Sequence, residues 1–156
     1  VSPLKAHNYI LGYIIPILTI ALIQSIILYS IGFVVGLSFS INILLSIPFL
    51  LFISLLFVSF GLLLGSILKD QQVGPVASIL IQVVAFLSGM WFSLNLVGGA
   101  FEVIGNILPF SHAVNLLKYV LNGNYNKIGF PILVISIYTI VVLFFAILTF
   151  KKNMKK

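Results

Sequence analysis

Residues 6–68 read AHNYILGYIIPILTIALIQSIILYSIGFVVGLSFSINILLSIPFLLFISLLFVSFGLLLGSIL, bounded by Lys5 and Lys69 and without a single charged side chain between them. One membrane-crossing helix uses about 20 apolar residues, so a run of this length holds two crossings. The Ile/Leu/Val/Phe tracts show none of the apolar/polar alternation over about 10 residues that a membrane β-strand requires, which leaves helices. The whole chain has the same character. It is 62% apolar and only 6% charged, with a mean hydropathy of +1.30, against roughly a quarter charged residues in a soluble domain. The lipid bilayer is therefore the solvent for most of the protein.

Working outward, the quoted run divides at Gly36–Ser40 into a span over about 9–35, carrying Pro16, and a second over about 41–68, carrying Pro48. The consecutive polar residues Lys69-Asp70-Gln71-Gln72 predict a loop. Gly74-Pro75 then opens a third span, about 74–94, with Pro75 in the first turn, where its missing N–H costs nothing, and Trp91-Phe92 at the interface. Residues 95–126 change texture. Gly98-Gly99, Pro109 and Asn122-Gly123-Asn124 break them into pieces too short to cross. These predict a hairpin over about 98–123: one helix over about 99–108, then a second with Ser111 as N-cap and Gly123 as its stop. In the second, His112, Asn115, Lys118 and Asn122 form a polar stripe opposite Ala113, Leu116, Leu117 and Val120. Such helices lie in the interface or dip into the membrane as a re-entrant pair. A last span, about 128–150, precedes Lys151, Lys152, Lys155 and Lys156. The expected fold is thus all-α integral membrane, residues 1–156 forming one domain of four transmembrane helices with a re-entrant or interfacial hairpin before the last.

The net charge of +6 is a topology signal rather than a mark of nucleic-acid binding, because half of the lysines follow the last span directly. The positive-inside rule puts both termini in the cytoplasm, with Lys5 and Lys69 inside and Lys118 and Lys127 outside. No cysteine is present, and His7, His112, Asp70 and Glu102 are scattered, so neither disulfides nor a metal site is expected. The sequence contains no phosphate-binding glycine loop, and its two acidic residues offer no site for nucleotide-bound magnesium. No cofactor is expected on this chain, and it is not expected to be an enzyme.

Four sequence features, in order, resemble the membrane subunits of ABC-2 type transporters: Ser2-Pro3-Leu4 with Gly12, Gly61-Leu-Leu-Leu-Gly65, Leu87-Ser88-Gly89-Met90, and Leu108-Pro109 with a helix ending Leu121-Asn122-Gly123. The resemblance covers essentially the whole chain. It departs in one place: the family often has proline on both sides of the first hairpin helix, and here only Pro109 is present. The resemblance implies a permease of an ATP-driven exporter in a bacterial cell membrane, working with a separate ABC ATPase and a second permease subunit on a hydrophobic or amphipathic substrate such as a drug, peptide antibiotic or lipid. It further implies that these four spans are the third to sixth of six, in keeping with an opening Val1 rather than Met. Pro3, Leu4 and Lys5 would end the segment that couples to the ATPase, and Phe101, Glu102, Pro109 and His112 would belong to the outer hairpin. The alternative is a membrane accessory or immunity-type protein that binds a partner and transports nothing.

The remaining candidates each have a plainer reading. Gly32-x-x-x-Gly36 and Gly61-x-x-x-Gly65 suit close helix packing within the chain, or a dimer or gating contact. Gln24, Gln82 and Ser88 would line a substrate path, although interhelical hydrogen bonding, as for Asn42, Ser25, Ser54 and Ser59, is the favoured account. Glu102 fits the wet face of an interfacial helix, and His112 either a proton-sensitive group or a polar residue at a helix start. Lys69-Asp70 is either a partner contact or a charged turn.

Overall fold

The computed structural model describes residues 6–153, with side chains from Gly12 onward. Among the described residues every regular element is helical: α1 (Ala6–Val34), α2 (Ile41–Ile67), α3 (Asp70–Leu87), α4 (Leu94–Val97), α5 (Gly99–Ile107), α6 (Pro109–Leu121) and α7 (Gly129–Asn153), with a 3₁₀ turn over Tyr125–Lys127. Four are long and apolar enough to cross a membrane: α1 over Gly12–Val34, α2, α3 and α7. The fold is that of an all-α multi-pass membrane protein.

The central post is α2, which contacts α1, α3, α6 and α7. It runs parallel to α7, as two bonds near their ends show. Near the start of α2, the Asn42 side chain accepts from Tyr125 Oη (2.5 Å), just ahead of α7. At the other end Asn153 Nδ2 donates to the Ser66 carbonyl (2.6 Å). Lipid offers no hydrophobic drive between helices, so van der Waals fit and such polar bonds hold the bundle. The packed centre is Ile53 and Leu56 of α2, Ala113, Leu116 and Val120 of α6, and Ile135 of α7.

The hairpin is re-entrant. Phe110, at the start of α6, stacks on Phe57 (centroids 6.1 Å apart) and tilts against Phe60 (5.7 Å), while Leu121 at its other end accepts from Asn42 Nδ2 (3.1 Å). Asn42 and Phe57 are fifteen residues apart on α2, a rise of about 22 Å. Phe57 is the seventeenth of the 27 residues of α2, so the Leu108–Pro109 turn packs beyond the midpoint of that span. The polar stripe and apolar face read from the sequence are distributed accordingly: Leu116 and Val120 are fully buried, Lys118 and Asn122 exposed.

Four local readings are corrected. Asp70-Gln71-Gln72 is not a loop but the first turn of α3, because Gln72 N donates to the Lys69 carbonyl (2.8 Å) and Gln72 Oε1 accepts from Lys69 N (3.2 Å). This reciprocal cap starts the helix early, with Asp70 at the positive end of its dipole, and puts Pro75 one turn further in than expected. The helix also stops early, at Leu87 rather than near residue 94. Gly89 takes a left-handed φ of +69°, which a side chain would oppose, and Ser88 Oγ accepts from Met90 N (3.3 Å). With 18 residues, α3 rises about 27 Å, the short end of the spanning range. Ser111 does not cap α6. Pro109 is the first residue of that helix, and Ser111, two residues on, donates Oγ to the Gly105 carbonyl (2.6 Å) to brace α5 against α6. Finally, Gly36 lies beyond the end of α1, so Gly32 and Gly36 do not share a helical face.

Asn42 binds both the end of α6 and the loop before α7. Asn42→Ala removes both bonds at a partly exposed position. At about 0.6 kcal/mol per interhelical bond in a bilayer, and up to about 1.7, the loss should be about 1–2 kcal/mol. It should appear as a lower midpoint in SDS titration, and an unchanged midpoint would show that the clamp is not a stabilising contact.

Candidate transport site

The spans place the path candidates on different faces. Gln24 is exposed on α1, which lies against α2 and α7, and Gln82 is exposed on α3, which lies against α2, α5 and α6. The structure does not bring them together. Among the described residues neither amide has a hydrogen-bond partner, and in hydrocarbon an unpaired amide is costly. Both lie inside helices long and apolar enough to span: Gln82 is five residues before the end of α3 at Leu87, about 7 Å, and Gln24 ten residues before the end of α1 at Val34, about 15 Å. Tyr29 is anchored through its hydroxyl to Ser46 Oγ (2.5 Å). The faces bearing these amides therefore call for water or protein against them.

Ser88 behaves differently. It is buried, and its hydroxyl donates to the Ala85 carbonyl (3.0 Å), so it helps end α3 rather than presenting a free polar group. The other span serines follow the same pattern: Ser25, Ser54 and Ser59 donate to the carbonyls of Ala21, Leu50 and Leu55 one turn back. The interhelical role expected of them and of Asn42 is filled by Asn42, together with Ser46 and Asn153. The hydroxyl-to-carbonyl arrangement satisfies the donor inside one helix.

Gly61 and Gly65 are not used to pack helices inside the chain. No atom lies within 4 Å of where a Cβ would stand on either. They line an open cavity of about 640 Å³ with Tyr13, Phe57, Ser66, Asp70, Ala146 and Phe150, which runs from the level of Phe57 toward the Asp70 end of the bundle.

In the hairpin, Glu102 is partly exposed in the first turn of α5, where the helix dipole favours a carboxylate. Phe101 packs against Phe92 (6.0 Å), and Pro109 is buried at the re-entrant turn. His112 Nε2 is 2.9 Å from the Asn106 carbonyl, and its ring stands edge-on to Phe130 at 5.3 Å. A carbonyl only accepts, so Nε2 carries the proton, and the ring ties α6 back to α5. Pro3, Leu4 and Lys5 lie outside the described residues.

Besides Ser46 and Asn153, two further contributors were missed in the sequence. Gly105 is buried against Leu94 and the Leu87 carbonyl; a glycine inside a nine-residue amphipathic helix is a local signal that could have found it. Tyr138, whose hydroxyl donates to the Ile107 carbonyl (3.0 Å) and so fixes the turn to α7, has no such signal.

The fold and site define a multi-pass helical membrane protein with a short hairpin packed among its spans. The chain belongs to the ABC-2 type transporter family, whose model matches residues 1–122. Searches of curated proteins and of solved structures found no match.

Proposed function

We propose that this chain is the permease subunit of an ATP-driven exporter, energised by a separate ABC ATPase and paired with a second permease subunit. The observation that carries this reading is the pair of unpartnered amides, Gln24 and Gln82, on membrane-facing surfaces of a chain of this family. A second subunit or a wet pathway supplies what each lacks. The cargo is hydrophobic or amphipathic, in keeping with an open cavity whose lining is mostly apolar and includes Tyr13, Ser66 and Asp70. Pro3-Leu4-Lys5 transmits ATPase closure to α1, both termini face the cytoplasm of a bacterial cell, and the hairpin with Phe101, Pro109 and His112 shapes the exit.

The test is affinity purification of the protein from membranes, with mass spectrometry and an ATPase assay on the eluate. A stoichiometric ATPase should co-purify. Leu4→Asp should reduce transport roughly fivefold or more while ATP hydrolysis persists, the loss expected when a coupling free energy is removed. A lone, ATPase-free protein under gentle extraction would sink the proposal in favour of an accessory or immunity-type membrane protein.

A further inference from the structure

Between α2, α3 and α6 lies a second cavity of about 350 Å³, walled by Phe57, Phe60, Leu80, Val84, Phe110 and Leu117, with Ser88 the only polar side chain on its lining. The Ser88 hydroxyl is already bonded to Ala85, so nothing inside asks for a polar ligand. The lining runs from Leu80 to Ala85 on α3 and on through Ser88 to Met90 in the turn that follows it. From Leu80 to the C-cap Ser88 is eight residues, about 12 Å of rise. A helix with its side chains is about 10–12 Å across, so that length of helix would fill roughly 1,000 Å³ and does not enter. A single hydrocarbon chain, with carbon contacts at about 4 Å, does.

The rim is not neutral. Lys118 is exposed, and its Nζ reaches the Gly89 carbonyl (3.5 Å) between the rim residues Ser88 and Met90. Among the described residues no carboxylate pairs with it. Meanwhile α3 has no buried residue, so the crevice beneath it is empty space where a packed neighbour would add contacts. We infer that this crevice is a phospholipid site: one acyl chain lies between α3 and the α2–α6 wall, and the phosphate of an anionic headgroup sits on Lys118. The lipid completes the packing of α3, and the assignment does not depend on what the protein transports.

The experiment is native mass spectrometry of the purified full chain titrated with phosphatidylglycerol or phosphatidylcholine. Wild type should retain one phosphatidylglycerol in preference to phosphatidylcholine. Lys118→Gln should weaken phosphatidylglycerol about fivefold, the effect of one basic residue at an anionic surface, and leave phosphatidylcholine unchanged. Ala85→Phe, which fills the crevice from α3, should weaken both, and Lys127→Gln should weaken neither. Equal loss of both lipids in Lys118→Gln, or none, would overturn the headgroup assignment. Retention of lipid by Ala85→Phe, or a change of oligomeric state in its place, would overturn the crevice as the site. The Lys118 variant alters an exposed side chain, so its result stands even if Ala85→Phe fails to fold.

Discussion

Leu116→Ala is expected to cost about 2–5 kcal/mol, the range for truncating a fully buried leucine. Leu116 has no exposed surface and sits in the cluster where α6 meets α2 and α7, among Leu56, Val120 and Ile135. The re-entrant helix is short, 13 residues, and cannot rely on its own hydrogen bonds for stability. Its place in the bundle depends on side-chain fit, and the cavity left by alanine removes contacts that lipid does not replace. SDS titration of the purified protein should show the midpoint fall, and protease cleavage between Gly98 and Gly123 should speed up as the hairpin loosens. A variant with wild-type midpoint and cleavage would mean that α6 is held by something other than this cluster. Leu133→Ala, at an exposed position on α7, is the control and should change little.

Gly105→Val is expected to displace the hairpin from the end of α3. A Cβ on Gly105 would stand 2.7 Å from Leu94 Cδ1 and 3.1 Å from the Leu87 carbonyl oxygen. The first contact can relax through the leucine rotamer. The second is backbone and cannot yield without moving α3 or α5. The Gly105 carbonyl also accepts from Ser111 Oγ (2.6 Å), so a shift of α5 strains the brace to α6 as well. Overpacking of this kind costs about 1–3 kcal/mol. Gly105→Ala should lie at the lower end and Gly105→Val at or above the upper, both as lowered SDS midpoints. Transport, once a cargo is known, should fall in the same order. Equal midpoints for glycine, alanine and valine would refute the close approach. The position is helical, so the effect cannot be assigned to backbone conformation.

The hairpin shows where sequence reading stops. Its position, its two helices and its break at Pro109 follow from glycines, prolines and a 3.6-residue stripe, all local features. Whether it lies on the membrane or enters it does not, because an amphipathic helix presents the same stripe in either setting. Phe110 against Phe57 and Phe60 decides the matter, a contact between residues some fifty positions apart. The polar residues show the same limit: Asn42, Gln24 and Gln82 are alike as buried-amide candidates in sequence, yet Asn42 finds Leu121 and Tyr125 while the glutamines find no partner among the described residues.

By itself, the sequence determined that this is a helical membrane protein with four spans and a broken segment before the last. That information is carried by hydropathy over about 20 residues, a length set by the bilayer. Only the tertiary structure decided that α3 begins at Asp70 and ends before Gly89, that the hairpin is re-entrant, that Gly61 and Gly65 face an open cavity, and that an apolar crevice beneath α3 ends at Lys118. The physical reason is that each depends on which side chains from separate helices meet. In a bilayer, where every span is apolar on all sides, fit and a few polar bonds choose the neighbours, and hydrophobicity cannot.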